Sequence, residues 1–301
     1  MRISPAFVVG TAWCLVLVAA GCGQPRDAGT QGVSVTVSIL PQKYFVNRIG
    51  GDLVRVNVMV PPGASPATYE PKPSQIRALS DSAIYFAAGV PFEASWLGRL
   101  TADRDDLRVV DTSEGIEKLA MIAHSHHDHD HHSEEASDPH TWMSPKRVKT
   151  HATNICNALC EADPDRSETY RMNLDSFHAE LENLDRDLAD QFDGLASRAF
   201  LVFHPSWGYF ADDYGLRMIP LEVGGQEPSA FELGKLIDQS RAENIRVILA
   251  QPEFNQRPAE FIAREIGADI IQASPLDEAW ADNLRRVAAE LRQVLLRGES
   301  E

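Results

Sequence analysis

A long run of apolar residues at spacings of three and four is the feature that most constrains the fold of this 301-residue chain. The apolar positions are Leu174, Phe177, Leu181, Leu184, Leu188, Phe192 and Leu195. They predict one amphipathic helix, because residues three and four apart share a helix face. Asp163 can cap it, Pro164 suits its first turn and Gly194 can end it. Such a helix would be about 45 Å long at about 1.5 Å per residue, so we expect it to join two domains.

Similar strand and helix patterns occur on both sides of this helix. VSVTVSI (33–39) and VRVNVMV (54–60) alternate with period two, as strands do, and a plausible helix lies between them. After the long helix, AFLVFHPSWGYF followed by MIPLEV repeats the arrangement, and RVILAQP and ADIIQA add strands. We therefore predict an α/β fold with two similar lobes, each with a parallel sheet. The predicted boundaries are 33–162 and 196–301 for the lobes, and 163–195 for the linking helix.

The first 22 residues have the composition of an export signal, with its cleavage point at Cys22. Arg2 precedes an apolar run that is too short to span a bilayer, and AAGC follows it. Cys22 after Gly21 resembles a bacterial lipobox, although Ala19 stands where leucine is usual. We expect Cys22 to be lipidated and residues 23–32 to form a tether, so that a lipid anchors an otherwise soluble chain. The alternative is an ordinary signal peptide.

The formal net charge of −16 argues against nucleic acid as a partner, because phosphates would be repelled. Cys156 and Cys160 are four apart on a predicted helix, which is poor geometry for a mutual disulfide. We interpret them as small buried apolar residues.

Two histidines lie where a ligand is expected to bind. In open α/β sheets, ligands bind beyond the carboxyl ends of the strands. His204 directly follows the strand AFLVF, and His140 ends a loop just before a helix. Imidazole is a common metal ligand, so both are candidate zinc ligands. His151 and His178 lie inside predicted helices and are interpreted as structural.

The segment 120–139 is rich in His, Asp, Glu and Ser and has little to bury, which predicts a mobile loop. It contains HSHHDHDHH, with His124, His126, His127, His129, His131 and His132. A flexible tract cannot hold ligands at tetrahedral angles, so we expect it to bind metal weakly and pass it on. The alternative is a solvated loop or a sensor without a delivery role.

Several long motifs occur in a fixed order. They are VPPGASPATYEPKPSQIRALSD, the His-rich insert, DPHTWMSP, FHPSWGYFADDYGL, GGQEPSA and AQPEFNQRPAEFIAREIGADI. Together they resemble the zinc- and manganese-specific solute-binding proteins of bacterial ABC importers (ZnuA/TroA-like). The resemblance covers essentially the whole mature chain. It implies two α/β lobes joined by a rigid helix, with one metal ion held between them.

The resemblance also implies a ligand set. The second and third histidine ligands of the family match His140 and His204. A fourth ligand, commonly a carboxylate near the start of the last helix, matches Glu278, with Asp277 as the alternative. The first ligand is commonly a histidine in the motif that reads SPATYEP here, but this chain has Ala67.

Three arrangements could complete a site without the first histidine. The site could use two histidines, one carboxylate and a water molecule, which needs no rearrangement and is our first choice. Alternatively, Glu70 could swing in, or a histidine of the His-rich insert could contribute. Glu222 and Glu253 also follow strands and could bind the metal or support its ligands.

We therefore expect a lipid-anchored, monomeric receptor outside the cytoplasm that hands Zn²⁺ to an ABC importer permease. Zn²⁺ is preferred over Mn²⁺ because imidazole suits the softer ion. Two histidines, a carboxylate and an open position would also suit a zinc hydrolase. No HExxH motif is present, however, and we expect binding and not catalysis. A surface adhesin of the same fold is the third hypothesis.

Overall fold

The computed structural model describes residues 32–122, 137–222 and 226–297. The first lobe contains β1 (Val33–Val37), α1 (Leu40–Gly50), β2 (Val54–Val58), α2 (Pro73–Ser80), β3 (Ile84–Ala87), α3 (Pro91–Thr101) and β4 (Arg108–Asp111). All its strand pairs are parallel, and the strand order is β2-β1-β3-β4. The central strands β1 and β3 are short and largely buried, which explains their apolar sequences, whereas β4 at the edge of the sheet is mostly exposed.

Two antiparallel helices follow, α4 (Pro145–Ala162) and α5 (Ser167–Phe192). A single 3₁₀ turn, Pro164–Arg166, leads directly into α5, so the predicted long helix is confirmed. Its buried residues include Phe177, Leu181, Leu184, Leu188 and Phe192. Each such side chain stabilises the fold by about 1.5–3 kcal/mol when fully buried.

The beginning and end of the long helix differ in how closely they follow the sequence pattern. The Asp163 side chain accepts hydrogen bonds from Arg166 (2.6 Å) and from the hydroxyl of Tyr170 (2.8 Å), and caps no backbone N–H group of α5. At the other end, Gly194 has a φ of +73°, a left-handed conformation that glycine adopts without strain. The chain can therefore turn there into the second lobe.

The second lobe repeats the first. Its elements are β5 (Ala199–Val202), α6 (Gly208–Asp213), β6 (Arg217–Pro220), α7 (Ala230–Ala242), β7 (Val247–Ala250), α8 (Arg257–Ile266), β8 (Asp269–Gln272) and α9 (Trp280–Arg297). Its parallel sheet has the order β6-β5-β7-β8, which is the same arrangement as in the first lobe. The predicted pair of similar α/β lobes is therefore confirmed.

The two lobes are tied together by α5 and by two tryptophans. The helix α5 packs against α1 and α4 and also against α9 of the second lobe. The indole N–H of Trp142 donates to the Pro275 carbonyl (2.9 Å), and that of Trp280 donates to the Trp142 carbonyl (2.8 Å). The Trp280 ring also packs edge-on against Phe45, with ring centroids 5.1 Å apart. These contacts join the loops that border the cleft.

Among the described residues, no helix combines the length and the apolar character that crossing a bilayer requires. The predicted signal and tether, with Cys22, lie outside the described residues, as do His124, His126, His127, His129, His131 and His132. Cys156 and Cys160 are both free thiols, with their Sγ atoms 3.9 Å apart; Cys156 is buried as expected, whereas Cys160 is only partly buried.

Candidate metal centre

His140 is held by a carboxylate two residues before it. The Asp138 Oδ1 atom accepts the backbone N–H of His140 (2.9 Å) and lies 2.7 Å from its Nδ1. Because an ionised carboxylate can only accept, Nδ1 carries the proton and Nε2 keeps its lone pair for a metal ion. The ring is buried, and this burial lowers the pKa of His140, which favours the neutral form that binds metals.

The backbone around Asp138 is held in place by Tyr209, a residue of the second lobe. The Tyr209 hydroxyl donates to the Asp138 carbonyl (2.7 Å) and accepts the backbone N–H of Leu119 (3.0 Å). Ala120 and Ser137 form an antiparallel bridge next to these bonds. The two ends of the chain on either side of residues 123–136 are therefore pinned beside His140.

His204 has the same kind of support. It follows β5, and its Nδ1 lies 2.9 Å from Oε1 of Glu222, which follows β6. The side chain of Gln251 accepts the backbone N–H of His204 (2.8 Å) and donates to its carbonyl (3.1 Å). The Phe254 ring stacks on the imidazole at a centroid distance of 5.2 Å. These contacts fix the ring plane and leave Nε2 for coordination.

The two imidazoles come together across the lobes. Their ring centroids are 5.1 Å apart, with an angle of 72° between the planes. Both rings line one cavity of about 200 Å³, formed by loops that follow strands of both sheets. A single ion with bonds of about 2.0–2.1 Å to each nitrogen suits such a separation.

The other candidate residues divide into two groups. Ala67, Glu222 and Glu253 line the same cavity as the histidines. Glu278 does not: it forms an ion pair with Lys43 (2.5 Å) and its side chain is half exposed. Asp277 also lies outside the described lining, and its Oδ1 accepts the backbone N–H of Ala279 (2.8 Å).

Glu70 is exposed and is not part of the described lining of the cavity that both imidazoles line. It borders a neighbouring groove with Trp96 and Arg99, and Ala67 lies between this groove and the cavity.

Glu253 differs from the other carboxylates. Its Oε1 accepts the Ser274 hydroxyl, whereas its Oε2 is buried and has no hydrogen-bond partner among the described residues. Burial raises the pKa of Glu253 above its usual value. Within the described part of the chain, no three His, Cys, Asp or Glu side chains are already close enough together to hold an ion. The two histidines are therefore the preassembled part of the site.

Sequence reasoning did not identify Asp138 and Tyr209 as supporting residues. Asp138 had a local signal, because an Asp two residues before a histidine can accept that histidine's backbone N–H. Tyr209 had none, since its partners lie 71 and 90 residues away in sequence.

Comparison with known proteins identifies the family to which the whole chain is similar. Residues 35–294 match the family described as ZnuA, zinc-uptake complex component A, periplasmic. The high-affinity zinc uptake system protein ZnuA of Bacillus subtilis is 29% identical over 277 residues, covering 88% of this chain and 86% of that protein. The manganese-binding lipoprotein MntA of Halalkalibacterium halodurans is 26% identical, covering 85% and 84%.

Solved structures show the same fold. A crystal structure of ZnuA is 44% identical, has a TM-score of 0.81 and covers 88% of this chain and 99% of that chain. A zinc-bound deletion mutant of ZnuA is equally similar, with 44% identity, a TM-score of 0.81 and coverage of 87% and 98%. Because the family match spans most of the sequence, this chain belongs to the ZnuA family of periplasmic zinc-uptake components.

Proposed function

We propose that this protein captures Zn²⁺ outside the cytoplasm and delivers it to the permease of an ABC importer. The observation that carries the proposal is the pair His140 and His204, which face one cavity between the lobes, each with its Nδ1 held by a carboxylate. Metal-binding histidines typically have this support, because it fixes the tautomer and the ring orientation. The names of the B. subtilis and H. halodurans relatives support metal binding.

Zn²⁺ is the proposed cargo, with Mn²⁺ as the alternative. Imidazole nitrogen is a better ligand for zinc than for manganese, which prefers carboxylate, carbonyl and water oxygens. The role is binding and not catalysis, in line with the transport function of the family. Cys22 would carry a lipid anchor and the mature chain would act as a monomer; the lipoprotein name of MntA supports the anchor.

Competition with a chelator tests the proposal directly. His140→Ala and His204→Ala should each weaken zinc binding by about tenfold or more, since even residues that only support ligands cost about 10–100-fold. His178→Ala is the matched control, because its ring bonds to the Lys149 carbonyl (3.2 Å) far from the cavity lining. Wild-type affinity in the double variant would contradict the proposal. Restoration of zinc uptake in a strain that lacks its own receptor would test delivery.

A further inference from the structure

Glu253 has a carboxylate oxygen that the described protein leaves without a partner. One oxygen, Oε1, accepts the Ser274 hydroxyl, while Oε2 is buried and forms no hydrogen bond with any described residue. A buried acceptor without a partner is costly, by about 1–3 kcal/mol and more if it is charged. Because Glu253 also lines the binding cavity, we expect this oxygen to gain its partner when the ligand binds.

The position of Glu253 also indicates that it can contact a bound ligand. It lines the cavity together with His140 and His204, and the next residue, Phe254, stacks on the His204 ring. Its support is itself fixed: the Ser274 oxygen accepts the Leu276 backbone N–H (3.0 Å). Carboxylates that bind a metal ion are usually also hydrogen-bonded to nearby protein groups, as Glu253 is to Ser274.

The competing carboxylates already have other partners. Asp138 holds His140 and Glu222 holds His204. Glu278 pairs with Lys43, and Asp277 accepts a backbone N–H at the start of α9. Of the two glutamates in the described cavity lining, Glu222 is engaged in holding His204, whereas Glu253 has a buried oxygen without a partner among the described residues.

We propose that Glu253 is the third protein ligand of the metal and takes the role that a histidine at position 67 would otherwise have. This inference rests on the proposed function, since it assumes that His140 and His204 bind the ion. The Glu253 carboxylate must move toward the imidazoles when the ion enters, because no three-residue cluster is preassembled in the described chain. Two imidazoles and one carboxylate form a set that zinc commonly takes, with a fourth position open.

A negative ligand also reduces the cost of placing a divalent ion in this cavity. The lining includes Val90, Pro91, Trp142, Phe254 and Leu276, which solvate charge poorly. One bound carboxylate offsets half of the ionic charge where water is scarce.

The test compares Glu253→Gln with Glu278→Gln and Asp277→Asn, which remove the same charge outside the cavity lining. Zinc affinity is measured by chelator competition, and the coordination sphere by the visible spectrum of the Co²⁺-loaded protein. Glu253→Gln should weaken zinc binding by about tenfold or more and change the cobalt spectrum. It should leave the Tm of the metal-free protein equal or higher, because the amide removes a buried charge. The two controls should match the wild type in affinity and spectrum.

The outcomes separate this inference from the proposed function. An unchanged cobalt spectrum in Glu253→Gln overturns the inference whatever the affinity, because a true ligand has then not been lost. A changed spectrum in Glu278→Gln or Asp277→Asn also overturns it, since the carboxylate ligand would lie there. If wild-type zinc binding does not depend on His140 and His204, the proposed function itself fails.

Discussion

Gly208 lies directly against the carboxylate of Asp138: a β-carbon at position 208 would be 2.8 Å from Asp138 Oδ2. Real β-carbons essentially never come this close, so Asp138 keeps its position because residue 208 has no side chain. Since the other oxygen of Asp138 holds His140, the glycine in the second lobe protects the orientation of a proposed metal ligand in the first.

Gly208→Ala should therefore weaken zinc binding by about tenfold, the lower end of the cost of disturbing a residue that supports a ligand. Alanine favours helices more than glycine does, and Gly208 begins α6, so a loss of affinity would not come from helix propensity. The matched control is Gly234→Ala within α7, where a β-carbon meets nothing within 4 Å. Calorimetry of both variants checks the prediction, and equal zinc affinities would contradict it.

Ala67→His should tighten zinc binding, mainly by slowing release. Ala67 lines the cavity with both imidazoles, and a histidine there would add a protein ligand that must detach before the ion leaves. Zinc dissociation into an excess of chelator gives the rate. Thr68→His is the control, because Thr68 borders the neighbouring groove and is not part of the described cavity lining. Unchanged or faster release in Ala67→His would show that residue 67 does not reach the ion.

Replacement of residues 123–136 by two glycines should remove weak metal binding and keep one tight zinc site. The base of this segment is held independently, by the Ala120–Ser137 bridge and by the Tyr209 hydroxyl. The orientation of His140 should therefore survive the deletion. A zinc titration that counts tight and weak equivalents checks the prediction. Loss of the tight equivalent would mean that a histidine of the insert completes the site.

His151 should make the protein less stable as the pH falls. Its buried ring lies between the hydroxyls of Thr112 (2.9 Å) and Thr141 (2.8 Å), and burial lowers its pKa from 6.5 to about 4. The unfolded chain binds a proton near pH 6.5 and the folded chain only near pH 4, so the free energy of unfolding falls between these values. The total loss should be about 3 kcal/mol.

Urea unfolding of the wild type and of His151→Gln at several pH values measures this loss. The glutamine cannot titrate, so the difference between the two curves isolates His151 from carboxylates such as Glu93, whose raised pKa acts in the opposite direction. Parallel curves between pH 6.5 and 4 would contradict the assignment.

The parts of the fold that depend on local pattern could be predicted from the sequence. The spacing of apolar residues from Leu174 to Leu195 predicted the long helix. The alternation of strands with helices along the chain predicted the two parallel sheets. The rule that ligands bind beyond strand ends selected His204, and the position of His140 at the end of a loop before a helix selected the second histidine. The structure places their ring centroids 5.1 Å apart.

The choice among carboxylates could not be predicted in the same way. Glu222, Glu253, Asp277 and Glu278 all lie in segments that follow strands, so their positions along the chain do not show which of them reaches the ion. What separates them are long-range partners: Glu278 pairs with Lys43, which is 235 residues away, and Glu253 bonds to Ser274 on the next strand loop. Such pairings depend on how helices and strands pack against each other, and a single sequence does not show which distant residues come into contact.

The crossed hydrogen bonds of Trp142 and Trp280 affect how the protein can give up its cargo. These indoles tie the two walls of the cleft to each other through the protein's own bonds. Because the lobes are already held together, little of the free energy of metal coordination is used to close the cleft, and most of it contributes to the affinity. The same bonds resist a wide hinge opening during release. We therefore expect the permease to extract the ion by displacing individual loops at the mouth of the cleft, while the two lobes remain in contact with each other.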